Sequence, residues 1–126
     1  MAIAASGEMY LETILVLSKT KDPVHSVDVG EYMGFSKPSV SRAISRLRME
    51  GFVQMEADGA LRLTEAGRNL AEKIFERHTL LTEYLVGIGV SEEIASEDAC
   101  RIEHVISDEA FEAIKRHVRT DHGLPS

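Results

Sequence analysis

One cysteine stands in the 126 residues, so no disulfide can form within the chain. That fits a reducing compartment, and a cytoplasmic location is expected. No apolar run approaches the about 20 residues that cross a bilayer, so no membrane contact is expected. No basic-plus-apolar leader stands at the N-terminus. Internal repeats and low-complexity stretches are also missing. Positive charge is in deficit: the net charge of -7 argues against indiscriminate binding to nucleic acid. The length allows one compact domain or two small lobes, with a core that needs no crosslinks.

What is present is unevenly placed. Residues 1–68 carry 8 Lys/Arg and 9 Asp/Glu, whereas residues 69–126 carry 6 and 12. The front half is nearly neutral and the back half is acidic. Such an acidic half repels phosphate or gathers cations.

Residues 7–18 read as a helix, with Tyr10, Leu11, Ile14, Leu15 and Leu17 making a wide apolar face. Met9 and Glu12 sit three apart near its start, where Met9 on its own reads as a core residue. A short helix follows Ser26 as its cap, with Val29, Tyr32 and Met33 inward and His25 in the loop before it. Gly34 ends it. The next helix starts at the cap Ser36, tolerates Pro38 in its first turn and stops at Gly51. Val40, Ile44 and Leu47 form its apolar stripe. Between Ser36 and Met49 there are four basic residues, Lys37, Arg42, Arg46 and Arg48, and no acid. In an acidic protein that is a local reversal of charge. A short helix, a turn and a basic helix make a helix-turn-helix. Residues 52–63 then alternate apolar and polar around Asp58-Gly59, which predicts a β-hairpin. The unit is a winged helix, and its exposed basic helix predicts DNA binding.

Thr64 caps a long helix reaching about Val86, with the stripe Leu70, Ile74, His78, Leu81 and Leu85. A histidine in such a stripe needs a partner, most simply a carboxylate or a backbone carbonyl. Ser91, Ser96 and Ser107, each followed by acids, look like three successive caps of short helices. His117 and His122 look solvent-exposed, and residues 119–126 look frayed. The stretch Cys100-Arg101-Ile102-Glu103-His104 sets three potential metal ligands at i, i+3 and i+4, on one face if the segment is helical. Thiolate, carboxylate and imidazole together suit a first-row transition metal. A lone helical cysteine also reads as a small buried hydrophobe, and a Glu-His pair as a solvated face, so spacing alone leaves the choice open.

Five segments, in order, resemble the metal-dependent repressors typified by the diphtheria toxin repressor and the manganese transport regulator. They are Glu8-Met9-Tyr10-Leu11, Ser36 to Ser41, Leu63 to Gly67, Arg77-His78, and Asp98 to Ser107. The likeness runs over about residues 6–118. It implies a mainly α fold, with a winged helix-turn-helix DNA-binding domain at 1–68 and an all-helical dimerisation and metal-binding domain at 69–118. A flexible tail at 119–126 would follow. Many members add a C-terminal SH3-like domain; the resemblance here implies the two-lobe form without it.

The ligands are implied one residue at a time. Met9 and Cys100 match ligands of the iron type, where manganese-type members have aspartate and glutamate. His78, Glu103 and His104 match ligands of both types, and Glu12 matches one of the manganese type. Two further iron-type ligand positions are Thr82 and Ser96 here, so the chain is a hybrid. The resemblance implies two neighbouring metal positions, one with Met9, Cys100, Glu103 and His104, the other drawing on Glu12 and His78. Thioether and thiolate are softer than carboxylate, and manganese stands lowest in the affinity order, so Fe(II) is expected over Mn(II).

The groove-facing set is expected to be Ser36, Lys37, Pro38, Ser39, Ser41, Arg42 and Arg46. The partner implied is a palindromic double-stranded operator bound by a homodimer, with the metal as effector and no catalysis. In the family the metallated dimer represses metal-uptake genes. Two other readings compete: a Mn(II)-responsive regulator of the same fold, and a metal-independent winged-helix adaptor that binds protein. A metallohydrolase using Glu103 as base is disfavoured, because no second set of catalytic groups appears.

Overall fold

The structure is a computed structural model that describes residues 5–121. It divides into two compact units, one up to Lys73 and one from Ile74 onward. Six helices and a two-stranded hairpin follow one another among the described residues.

The first unit opens with α1 (Ala5–Ser18), followed by α2 (Ser26–Met33) and α3 (Lys37–Met49). Tyr10, Leu11, Ile14 and Leu15 of α1 are buried, as the helical spacing requires, together with Val29 of α2 and Val40, Ile44 and Leu47 of α3. Two details depart from the sequence reading. The residue before α2 is His25 rather than Ser26, and its backbone N–H donates to the Asp28 carboxylate at 2.8 Å. Tyr32, expected inward, is 60 % exposed. On a helix of eight residues only a narrow stripe can reach the core, and Val29 takes that place. Gly34 closes α2 with φ 74°, the left-handed conformation that lets its N–H reach the Gly30 carbonyl.

The wing is β1 (Val53–Met55) paired antiparallel with β2 (Leu61–Leu63), in the register Val53↔Leu63, Gln54↔Arg62 and Met55↔Leu61. Asp58 accepts from the Ala60 N–H at 3.0 Å, and Gly59 supplies the positive φ of 89° that the turn demands. Leu61 also donates its N–H to the Val24 carbonyl, which ties the wing to the segment ahead of α2.

The long helix α4 (Glu65–Gly87) begins in the first unit and continues into the second. Thr64 caps it: its hydroxyl accepts from the Gly67 N–H at 3.0 Å and donates to the Gly51 carbonyl at 2.7 Å. The chain comes so close here that a Cβ on Gly67 would lie 2.0 Å from the Phe52 carbonyl oxygen.

In the second unit α4 continues, then come α5 (Glu92–Ile102) and α6 (Asp108–Asp121). Its core gathers Leu80, Leu81, Ala99, Phe111 and Val118, with Tyr84, Ile102, Ile106 and Ile114 packed at the margin. Ser91 caps α5 and Ser107 caps α6. Ser96, the third expected cap, instead lies inside α5. Residues 119–121, expected to fray, continue α6; His122 and the rest of the tail lie outside the described residues. No helix among the described residues is long and apolar enough to cross a membrane.

Candidate metal centre and nucleic-acid interface

The basic helix is built to show one face. Ser36 caps α3, its hydroxyl oxygen accepting from the Ser39 N–H at 3.4 Å and its O–H donating to the Ser39 hydroxyl at 3.0 Å. Pro38 sits in the first turn, where no N–H is needed. With Val40, Ile44 and Leu47 turned inward, Ser36, Lys37, Pro38, Ser41, Arg42 and Arg46 are exposed and Ser39 is half-buried. Among the described residues, Lys37, Arg42, Arg46 and Arg48 make no ion pair, so their charge is uncommitted. The wing differs: its Arg62 is held by Asp22 and Glu56, both at 3.4 Å. The cationic surface of the first unit is therefore the α3 face.

The ligand candidates of the second unit converge. Cys100 is a free, half-buried thiol on α5. The α5 helix ends at Ile102, but Glu103 keeps helical backbone angles (φ -59°, ψ -24°) and donates its N–H to the Ala99 carbonyl at 2.9 Å. That one extra helical residue keeps the i, i+3, i+4 placement. Cys100, Glu103 and His104 each offer a ligand atom, and these lie within 4.8 Å of one another. Glu103 is fully buried. Its Oε2 lies 3.2 Å from His78 Nδ1 and its Oε1 lies 3.5 Å from His104 Nε2.

These distances bring charge partners together, yet neither carboxylate oxygen accepts a hydrogen bond among the described residues. A buried carboxylate in that state is costly unless something cationic neutralises it. The donor set of Cys100, Glu103 and His104, one thiolate, one carboxylate and one imidazole, fits a divalent transition metal, and His78 stands at the other oxygen of the same carboxylate. Met9 and Glu12 stand one turn apart on α1 of the first unit, both half-buried, and the Met9 carbonyl accepts from the Thr13 hydroxyl at 2.9 Å.

Three residues that the sequence reading named without these contacts lie near the ligands. Ser96 places its hydroxyl oxygen 3.4 Å from His78 Nε2. Thr82 donates its hydroxyl to the His78 carbonyl at 2.7 Å. Arg77, buried at 6 % exposure, donates from Nη1 to the Glu103 carbonyl at 3.1 Å and to the Ile106 carbonyl at 2.9 Å. Arg77 entered the sequence reading only as the neighbour of His78 in one of the family-like segments, on the stripe spaced at Leu70, Ile74 and Leu81, and no role attached to it.

Taken together, these features define a class: a winged-helix unit with an exposed basic recognition helix, followed by a helical unit holding a thiolate, carboxylate and imidazole cluster. Comparison with known proteins places the chain within that class. Residues 3–61 match the N-terminal DNA binding domain of the iron dependent repressors, and residues 64–122 match their metal binding and dimerisation domain. The chain belongs to this family of metal-dependent transcriptional repressors.

A relative from Methanocaldococcus jannaschii, an HTH-type transcriptional regulator, is 32% identical over 90% of this chain and 92% of its own. The transcriptional regulator MntR of Escherichia coli is 34% identical over 84% of this chain and 68% of its own. The diphtheria toxin repressor of Corynebacterium diphtheriae is 35% identical over 81% and 46%. Among solved structures, a manganese-dependent transcriptional repressor in complex with manganese superposes with a TM-score of 0.81 at 29% identity, covering 94% of this chain and 53% of that one. The chain thus spans about half the length of that repressor.

Proposed function

We propose that this chain is a metal-activated repressor that binds palindromic double-stranded DNA as a homodimer, in the cytoplasm, with Fe(II) favoured over Mn(II) as effector. The observation that carries the reading is the fully buried Glu103 carboxylate, grouped with Cys100 and His104 and 3.2 Å from His78 Nδ1. Met9 and Glu12 are taken as the further ligands that the resemblance implies, so ligands come from both halves of the chain. A bound divalent ion would supply the positive charge that this donor set calls for. The chain's own residues do the rest. Cys100 and Met9 make the set softer than an all-oxygen site, which favours iron over manganese. Glu103 and His104 bind from the turn after α5, and His78 binds from α4. Ser36, Lys37, Pro38, Ser39, Ser41, Arg42 and Arg46 form the DNA face. In a two-fold dimer the two recognition helices match half-sites about 34 Å apart, or a multiple of that. The likeness to regulators supports a binding protein rather than an enzyme.

A second reading, a Mn(II)-responsive regulator, draws on Glu12 and on the manganese-dependent repressor just compared. A metal-independent adaptor is the third. One titration separates all three. Apo protein is mixed, without oxygen, with labelled promoter DNA from the metal-uptake genes of its own genome, and anisotropy is followed as Fe(II) or Mn(II) is added. Tight binding only with metal is the expected result, with the lower threshold for Fe(II). A lower threshold for Mn(II) reverses the metal preference. Equal binding by the apo protein overturns metal activation.

A further inference from the structure

The turn from Glu103 to Ile106 carries two of the candidate ligands and belongs to no helix. Carbonyls at the end of a helix lack partners within it. Here the Ile102 carbonyl is used twice, by the N–H groups of Val105 and Ile106. The carbonyls of Glu103 and Ile106 are both taken by one group, Nη1 of Arg77. These two carbonyls bracket His104, so one guanidinium pins the ligand turn at both ends. The other arm of the fork, Nη2, donates to the Asp108 carboxylate at the start of α6. The guanidinium carbon lies 5.5 Å from the centre of the Phe111 ring. Arg77 directly precedes His78, so adjacent residues of α4 take hold of Glu103 by its backbone and by its side chain.

We propose that Arg77 is a positioning residue for metal binding: it sets the place of the Glu103–His104 turn without touching the ion itself. The proposal rests on the metal reading above. A rigid planar fork suits this task, because Nη1 serves both carbonyls while Nη2 holds Asp108, whereas a lysine's single ammonium has no fixed second arm. Outer partners that orient ligands in this way are worth about ten- to a hundredfold in metal affinity.

The test uses the full chain and three substitutions: Arg77→Met, Arg77→Lys and Asp108→Asn. Co(II) is the probe, titrated anaerobically and read by its visible bands and the thiolate charge-transfer band from Cys100. Helical circular dichroism and amide exchange of the apo forms are recorded alongside. Arg77→Met is expected to bind Co(II) about ten- to a hundredfold more weakly while keeping its helical signal. Arg77→Lys should recover part of the affinity. In both, faster exchange should be confined to the amides of residues 103–106. Should Arg77→Met fail to fold, Arg77→Lys and Asp108→Asn decide, each expected to lose affinity and shift the band. Folded variants that match the wild type in Co(II) affinity and band shape overturn the clamp alone. A wild-type chain that takes up no Co(II) overturns the metal reading, and the positioning role with it.

Discussion

His78 Nδ1 and Glu103 Oε2 stand 3.2 Å apart, which ties α4 to the residue that ends α5. Glu103 also groups with Cys100 and His104, and neither of its carboxylate oxygens accepts a hydrogen bond among the described residues. Under the metal reading proposed above, this carboxylate is the group whose removal is most informative.

Glu103→Gln therefore separates binding from stability. In the wild type, free metal at a hundred times its dissociation constant should add about 2.7 kcal/mol, seen as a higher melting temperature. In Glu103→Gln that metal-dependent rise should vanish. The apo variant should melt at or above the apo wild type, because the amide keeps the volume of a side chain whose oxygens accept no hydrogen bond among the described residues. Thermal melts with and without metal check both halves. A collapse of the apo variant would mean that the carboxylate serves the fold.

Substituting Glu12 tests the number of metal positions. If Glu12 and His78 help form a second position, Glu12→Ala lowers the bound-metal count measured by elemental analysis of the desalted protein. An unchanged stoichiometry sinks the second position and leaves the cluster at Cys100, Glu103 and His104 as a single site.

Arg46 is exposed on α3 and makes no ion pair among the described residues. Arg46→Ala should weaken binding to every DNA sequence and flatten the slope of log affinity against log salt by about one. Anisotropy at several salt concentrations measures this. Lost discrimination at a single base position, with the slope unchanged, would make Arg46 a base reader instead.

Gly67 meets the backbone, not a side chain that can swing away. A methyl group there would sit 2.0 Å from the Phe52 carbonyl oxygen. Gly67→Ala should cost roughly 1–3 kcal/mol by forcing the start of α4 off the hairpin. The check is a urea melt; a midpoint equal to the wild type's would show that the contact yields freely.

Much of the fold was legible because its signals are local. The Ser36 cap, Pro38 in the first turn and the 3.6-residue spacing of Val40, Ile44 and Leu47 determine which way α3 turns its basic face. Asp58-Gly59 marks the hairpin turn for an equally local reason: glycine takes the positive φ. The ligand spacing at Cys100, Glu103 and His104 is likewise a property of one helical segment and its end.

Other features depended on what packs against what. Ser91, Ser96 and Ser107 look alike in sequence, each with acids following. Two became caps, while Ser96 sits within α5 with its hydroxyl close to His78. Capping strength differs too little between such segments to decide, so burial of Ala95 and Ala99 beside Ser96 settles where α5 runs. The same holds for Arg77. Its position on the α4 stripe is readable, but its role is not, because its partners lie 26 and 29 residues further along the chain. By itself the sequence determined the helices, the basic face, the wing and the spacing of Cys100, Glu103 and His104. Only the tertiary structure decided which carboxylate is fully buried and which arginine holds its turn in place, because both depend on groups that come together only when distant segments pack.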